Sequence, residues 1–291
     1  MLYDESKYGL DFLKDRLRPP ERFAPFPRAD DRKAWDALRD SDAGRMWVGL
    51  AERYADYAWP ALKVSAYMDY WRTGNLITRT NRFFERRSVL GILTIAECLE
   101  GEGRFLDQVI NGIFAVCEET TWVPPLHRLH WKVNMDECMP DATDHMAELE
   151  TAETSRYLAW THYLLSPAFE SISPRIGRRI VREVKTRLIA PYMARDDYWW
   201  MGFTEGVRVN NWNPWVNGGM LTALLLLEDD REEKARGVAK VMRSLDAFIR
   251  TYPSDGCCDE GPSYWSSSGG GLFECLELLD LATGGEIDIF E

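Results

Sequence analysis

The stretch "RFFERRSVLGILTIAECLEG" (residues 82–101) is followed almost at once by "RFLDQVINGIFAVCEETTW" (residues 104–122). Apolar side chains return every three or four residues, as at Leu90, Leu93 and Ala96 and again at Phe105, Val109, Ile113 and Val116. That is the period of a helix with one buried face. The glycine-bearing "EGEG" between the two stretches leaves room only for a tight reversal, so the segment reads as an antiparallel helical hairpin.

The same reading extends in both directions. Residues 145–165 pair with 173–195 through "SPAFESIS", and residues 213–230 pair with 231–253 through "EDD". A last helix over 266–282 starts a further pair that stays incomplete. First helices open near Arg82, His145, Asn213 and Trp265, so the unit recurs about every 50 to 70 residues, the spacing of stacked hairpins. Residues 32–40, 44–60 and 61–74 add shorter helices with an aromatic inner face. No strand-like alternation interrupts the pattern, and the fold class is all-α. Residues 1–70 are expected to form an N-terminal helical segment of the same assembly and residues 71–291 its core. Ser173 before Pro174 and Asn213 before Pro214 read as capping side chains ahead of a first-turn proline.

Composition narrows the function classes. The 291 residues are 45% hydrophobic and carry a net charge of −12, which disfavours nucleic acid and anionic membrane surfaces as partners. The longest apolar run, from Met220, is about eight residues, against the roughly twenty needed to span a bilayer. The N-terminus mixes acids and bases and shows no secretory signal pattern, so the chain reads as cytoplasmic unless a leader has been removed. Six cysteines without a CxxC pair read as buried thiols, and four histidines without HExxH argue against a metal site. No cofactor is expected.

Turns within pairs are short, whereas the connectors between pairs are long and rich in Trp, Pro, Asn and Gly: residues 120–144, 196–215 and 252–265. In an up-down array these connectors emerge at one end, which is where binding and catalysis usually reside. They hold seven of the twelve tryptophans, Trp122, Trp131, Trp199, Trp200, Trp212, Trp215 and Trp265. Such rings suit either stacking on sugars or plugging the end of a helical assembly. Among them lie His127, His130, Arg128, Arg208, Asn210, Asn211, Asp259, Glu260 and Tyr264.

Three segments in order, residues 85–125, "NNWNPWVNGGML" (210–221) and "DGCCDEGPSYW" (255–265), resemble the N-terminal helical domain of heparinase II/III-like polysaccharide lyases. The similarity runs from about Trp71 to the C-terminus. It implies an incomplete (α/α) toroid whose cleft binds acidic polysaccharide, followed in full-length members by a C-terminal β-sandwich domain that this chain lacks. It also implies β-elimination at a uronic acid, which needs a group to neutralise the carboxylate, a base for the C5 proton and an acid for the leaving oxygen. By residue match Tyr264 is the base, the acid or both, and Asn211 meets the substrate carboxylate, with Asn210 beside it. Several members carry a histidine next to that asparagine, where this chain reads "VNNWNPW". His127 or His130, the β domain, or Tyr264 acting alone then fills the role. Glu260, Arg208, Trp212, Trp122 and Trp265 complete the expected substrate contacts. A glycoside hydrolase pairing Asp259 or Glu260 with Asp136, Glu137 or Glu148 is the competing enzyme reading, and a non-catalytic carbohydrate-binding domain is the alternative outside catalysis.

Overall fold

The computed structural model describes residues 2–128 and 138–288, with Thr78 described in its backbone alone. The chain is all-α, and no strand occurs among the described residues. It divides into two compact units. Unit 1 comprises Met1–Pro25, Met146–Arg156 and Val184–Glu291; unit 2 comprises Phe26–His145 and Tyr157–Glu183. No described helix is long and apolar enough to cross a membrane.

Unit 1 opens with α1 (Glu5–Tyr8) and α2 (Leu10–Arg16), and unit 2 with α3 (Arg32–Arg39), α4 (Asp42–Glu52) and α5 (Val64–Thr73). The hairpin read from sequence is present in unit 2 as α6 (Ile77–Glu100) and α7 (Leu106–Cys117), with Leu90, Leu93, Val109 and Ile113 fully buried. Its turn is set by side chains. Glu97 accepts the backbone N–H groups of Gly103 and Phe105 at 2.8 and 3.0 Å. Arg32 donates to the otherwise unpaired carbonyls of Cys98 and Leu99 at 2.7 and 2.8 Å. A short α8 (Pro125–Arg128) follows, and α3 and α4 pack on α6.

The next hairpin differs from the expectation. Helix α9 (Leu149–Ile172) runs straight through "SPAFESIS", with Pro167 inside it. Proline cannot donate to the carbonyl four residues back, and the hydroxyl of Ser166 donates to that Tyr163 carbonyl instead at 3.3 Å. The chain turns only at Ser173, whose Oγ accepts the N–H of Arg175 and caps α10 (Arg175–Val184). A π turn over Lys185–Ile189 leads into α11 (Ala190–Ala194), where Pro191 forbids the regular bond to Arg187.

Unit 1 is organised around α12 (Trp212–Leu227), buried over nearly its whole circumference, as its all-round apolar sequence requires. Helices α13 (Arg231–Thr251) and α14 (Gly269–Thr283) pack on it, and α2 packs on α13. Gly219 of α12 faces the Ala152 carbonyl so closely that a Cβ would sit 2.5 Å from that oxygen. The chain start is tied down by Asp246, whose carboxylate accepts the N–H groups of Leu2 and Tyr3 at 2.5 and 2.9 Å.

Candidate functional site

Two of the three long connectors lie in unit 1, and the structure brings them together. The loop before α12 and the loop between α13 and α14 meet at a buried amide: Asn211 donates from Nδ2 to Glu260 Oε2 at 2.5 Å. A second tie runs from Arg208 to Asp259 at 3.8 Å. Beside these ties Arg208, Asn210, Tyr252 and Cys257 close over a residual space of only about 10 Å³. That space is too small for a ligand.

Tyr264 lies in the second of these loops. Gly261 adopts φ 83°, a conformation open to glycine, so the chain can turn immediately before Pro262. A 3-10 turn over Pro262–Tyr264 follows, and the Tyr264 carbonyl accepts the N–H of Ser268 at 2.9 Å. The backbone that carries the ring is thereby held in the lead-in to α14, while Tyr264 is 41% exposed and Trp265 beside it 53% exposed. An exposed phenol and an exposed indole suit proton transfer and sugar stacking respectively.

Other expected residues occupy different places. Asn211 is only 1% exposed and faces Glu260, and its Oδ1 is buried without a hydrogen-bond partner. It positions Glu260; it does not meet solvent. The Oδ1 of Asn210 accepts the Trp212 N–H at 3.0 Å, so this side chain serves the first turn of α12. Asn213, expected as the cap, lies inside that helix and donates to the Trp200 carbonyl at 2.8 Å and to Ser244. Trp212 is half-buried and packs against Trp199 with ring centroids 5.3 Å apart. Trp200 is fully buried within unit 1.

Trp122 and His127 belong to unit 2. Trp122 is a correction: it is 1% exposed, its indole N–H donates to the Val116 carbonyl at 3.0 Å, and it presents no ring face to a ligand. His127 is half-buried on α8. His130, Trp131, Asp136 and Glu137 lie outside the described residues. Glu148 is a second correction, for the hydrolase reading. It is fully buried and accepts the N–H groups of Glu150 and Thr151 at 3.1 and 2.6 Å, which commits its carboxylate to the start of α9.

The structure adds a cluster that loop reading overlooks. Arg156 of α9 bonds Glu274 of α14 at 3.1 Å and the Trp215 carbonyl at 3.3 Å, while the Trp215 indole donates to Glu153 at 3.1 Å. The three-residue step from Glu153 to Arg156 was its only sequence trace. Burial pushes the Cys98 and Cys275 thiols up to about 12, so these two offer no nucleophile.

No protein-family model matches the chain, and no curated protein matches it in sequence. The functional reading therefore rests on this geometry and on the resemblance of the loop segments.

Proposed function

We propose that the chain is a polysaccharide-lyase-like protein that cleaves uronic-acid-containing saccharides by β-elimination, on hairpins arranged as part of an (α/α) toroid. The observation that carries this reading is the Asn211–Glu260 bond, which fastens the loop of Tyr264 to the start of α12. Tyr264, rigidly based and exposed, transfers the proton to or from the sugar. Arg208, with 67% of its side chain exposed and one long ion pair, meets the substrate carboxylate and offsets the charge that grows on it as the C5 proton leaves. Trp265 stacks on the ring. Asn211 acts through Glu260 as a positioning residue.

A panel of uronate polysaccharides, followed by the ultraviolet absorbance of the C4–C5 double bond, tests this. Wild type is expected to raise the absorbance on at least one of them. Tyr264→Phe is expected to lower turnover by about 10²–10⁴-fold and to leave oligosaccharide affinity within about tenfold. Turnover retained in that variant would refute the assignment, as would cleavage products without the double bond.

A further inference from the structure

Unit 2 contains a cavity of about 360 Å³ between α5, the first half of α6 and the end of α7, with Trp59, Tyr67 and Arg86 in its lining. That volume lies at the small end of ligand sites, enough for one sugar-sized ring. Its aromatic wall is set by the chain around it. Gly112 of α7 leaves a slot that a side chain would close, because a Cβ there would sit 2.5 Å from the Trp59 ring. The Trp59 indole donates to Gln108 Oε1 at 2.9 Å, and the Tyr57 ring meets it edge-on with centroids 5.0 Å apart. Trp59 is therefore fixed where it lines the cavity, half-buried.

The charges of the lining are already engaged. Arg86 pairs with Glu119 at 3.1 Å and donates to the Ala115 carbonyl. Arg79 donates to the Thr121 carbonyl at 3.4 Å and lies over the Tyr67 and Phe83 rings. Lys63 and Glu118, of opposite sign, are both exposed. Nothing in this set calls for a charged ligand. Two donors are nevertheless left over: the Tyr67 hydroxyl and Nε of Arg86 are buried with no hydrogen-bond partner, in residues each only 3% exposed. Arg128 stands near enough to Tyr67 to act on it electrostatically, yet a guanidinium has no lone pair with which to accept the hydroxyl proton. A buried donor without an acceptor carries the full cost of its lost hydration. A ligand that brings oxygen acceptors removes that cost.

We propose that this cavity binds one neutral sugar ring, whose oxygens accept from the Tyr67 hydroxyl and from Nε of Arg86 and whose C–H face lies on Trp59. A hydroxylated ring supplies acceptors along its rim and an apolar face in one small body, which matches two donors beside an indole. Pro60, Val64 and Pro140 add apolar lining. None of the residues proposed for elimination lines the cavity, so binding here and elimination at Tyr264 stand or fall separately.

The test is saturation-transfer NMR of the full chain with glucose and galactose and, in parallel, with sodium glucuronate and sodium galacturonate. At least one neutral sugar is expected to bind with a Kd below about 10 mM, and each uronate no tighter than its neutral parent. Tyr67→Phe keeps the ring and removes only the orphaned hydroxyl. It is expected to weaken the sugar about fivefold or more, while Tm stays within about 2 °C of wild type or rises. Ala61→Trp, at an exposed position of the lining, is expected to crowd the cavity and abolish binding. Neither neutral sugar bound at about 10 mM, a uronate about tenfold tighter than its parent, or affinity indifferent to both variants overturns the proposal. So does a fall in Tm of more than about 4 °C in Tyr67→Phe, since the hydroxyl would then have a partner in the free protein.

Discussion

Asn211 and Glu260 form a one-sided pair: the amide nitrogen donates at 2.5 Å, while the carbonyl oxygen of the same amide is buried with no partner. The cost of that orphaned oxygen is tolerated because the bond on the other side closes two loops on each other. A double-mutant cycle with Asn211→Ala and Glu260→Ala, read by denaturant unfolding, is expected to give a coupling of about 1–2 kcal/mol. Additive effects, within about 0.3 kcal/mol, would show that the loops are held by something else.

The all-α class and most helices were legible because a three-to-four residue period is a property of the chain itself. The missed boundary at Pro167 was not, since it depends on the hydroxyl of Ser166 substituting for a lost donor. Of the expected site, the exposure of Tyr264 followed from the Gly261–Pro262 pair, whose backbone preferences are local. The burial of Asn211 and Trp122 was invisible, because it depends on what packs against them from elsewhere in the chain. Asn213 shows the same limit: Asn before Pro is a fair cap signal, yet the side chain found better acceptors on distant segments.

Those acceptors make Asn213 a structural residue. It and Asn217 share the Ser244 hydroxyl at 3.1 and 2.9 Å, Asn217 accepts the Tyr192 hydroxyl at 2.8 Å, and Ser244 donates to the Met201 carbonyl at 3.0 Å. Every member is fully buried or nearly so. Asn213→Ala leaves several of these groups unmatched at once and is expected to cost about 2–4 kcal/mol, a fall in Tm of roughly 5–12 °C. A change under about 1 kcal/mol would mean the network rearranges around the gap.

In unit 2 the corresponding weak point is Glu119. It is the shared partner of Arg86 and Arg87, bidentate to the latter at 2.6 and 2.7 Å. Removing it takes a shared counter-charge from two buried guanidinium groups, so Glu119→Ala is expected to lose about 3–5 kcal/mol, seen as a lower urea midpoint at unchanged slope. Added sulfate is expected to recover more stability in Glu119→Ala than in wild type, because only the variant lacks the carboxylate that Arg86 and Arg87 share. Equal salt responses would argue that these arginines find other counter-charge.

Lys234 sets a pH dependence whose sign can be worked out. Lys234 is 2% exposed on α13, and among the described residues its amine donates to the Arg18 carbonyl alone, at 3.4 Å. Burial lowers it to about 8 from 10.5, with Asp229, Glu21 and Glu228 pulling the other way. Between those two values the unfolded chain holds a proton that the folded chain has released, so stability rises with pH across that window. Below about 8 the folded protein carries a buried cation at a cost on the order of 3 kcal/mol. Lys234→Met removes the titration and keeps the volume. Urea unfolding of both proteins from pH 7 to 10.5 is expected to show wild type gaining on the variant as pH rises, by up to that amount. Parallel curves would mean that the amine reaches solvent in the folded state and keeps its ordinary proton affinity.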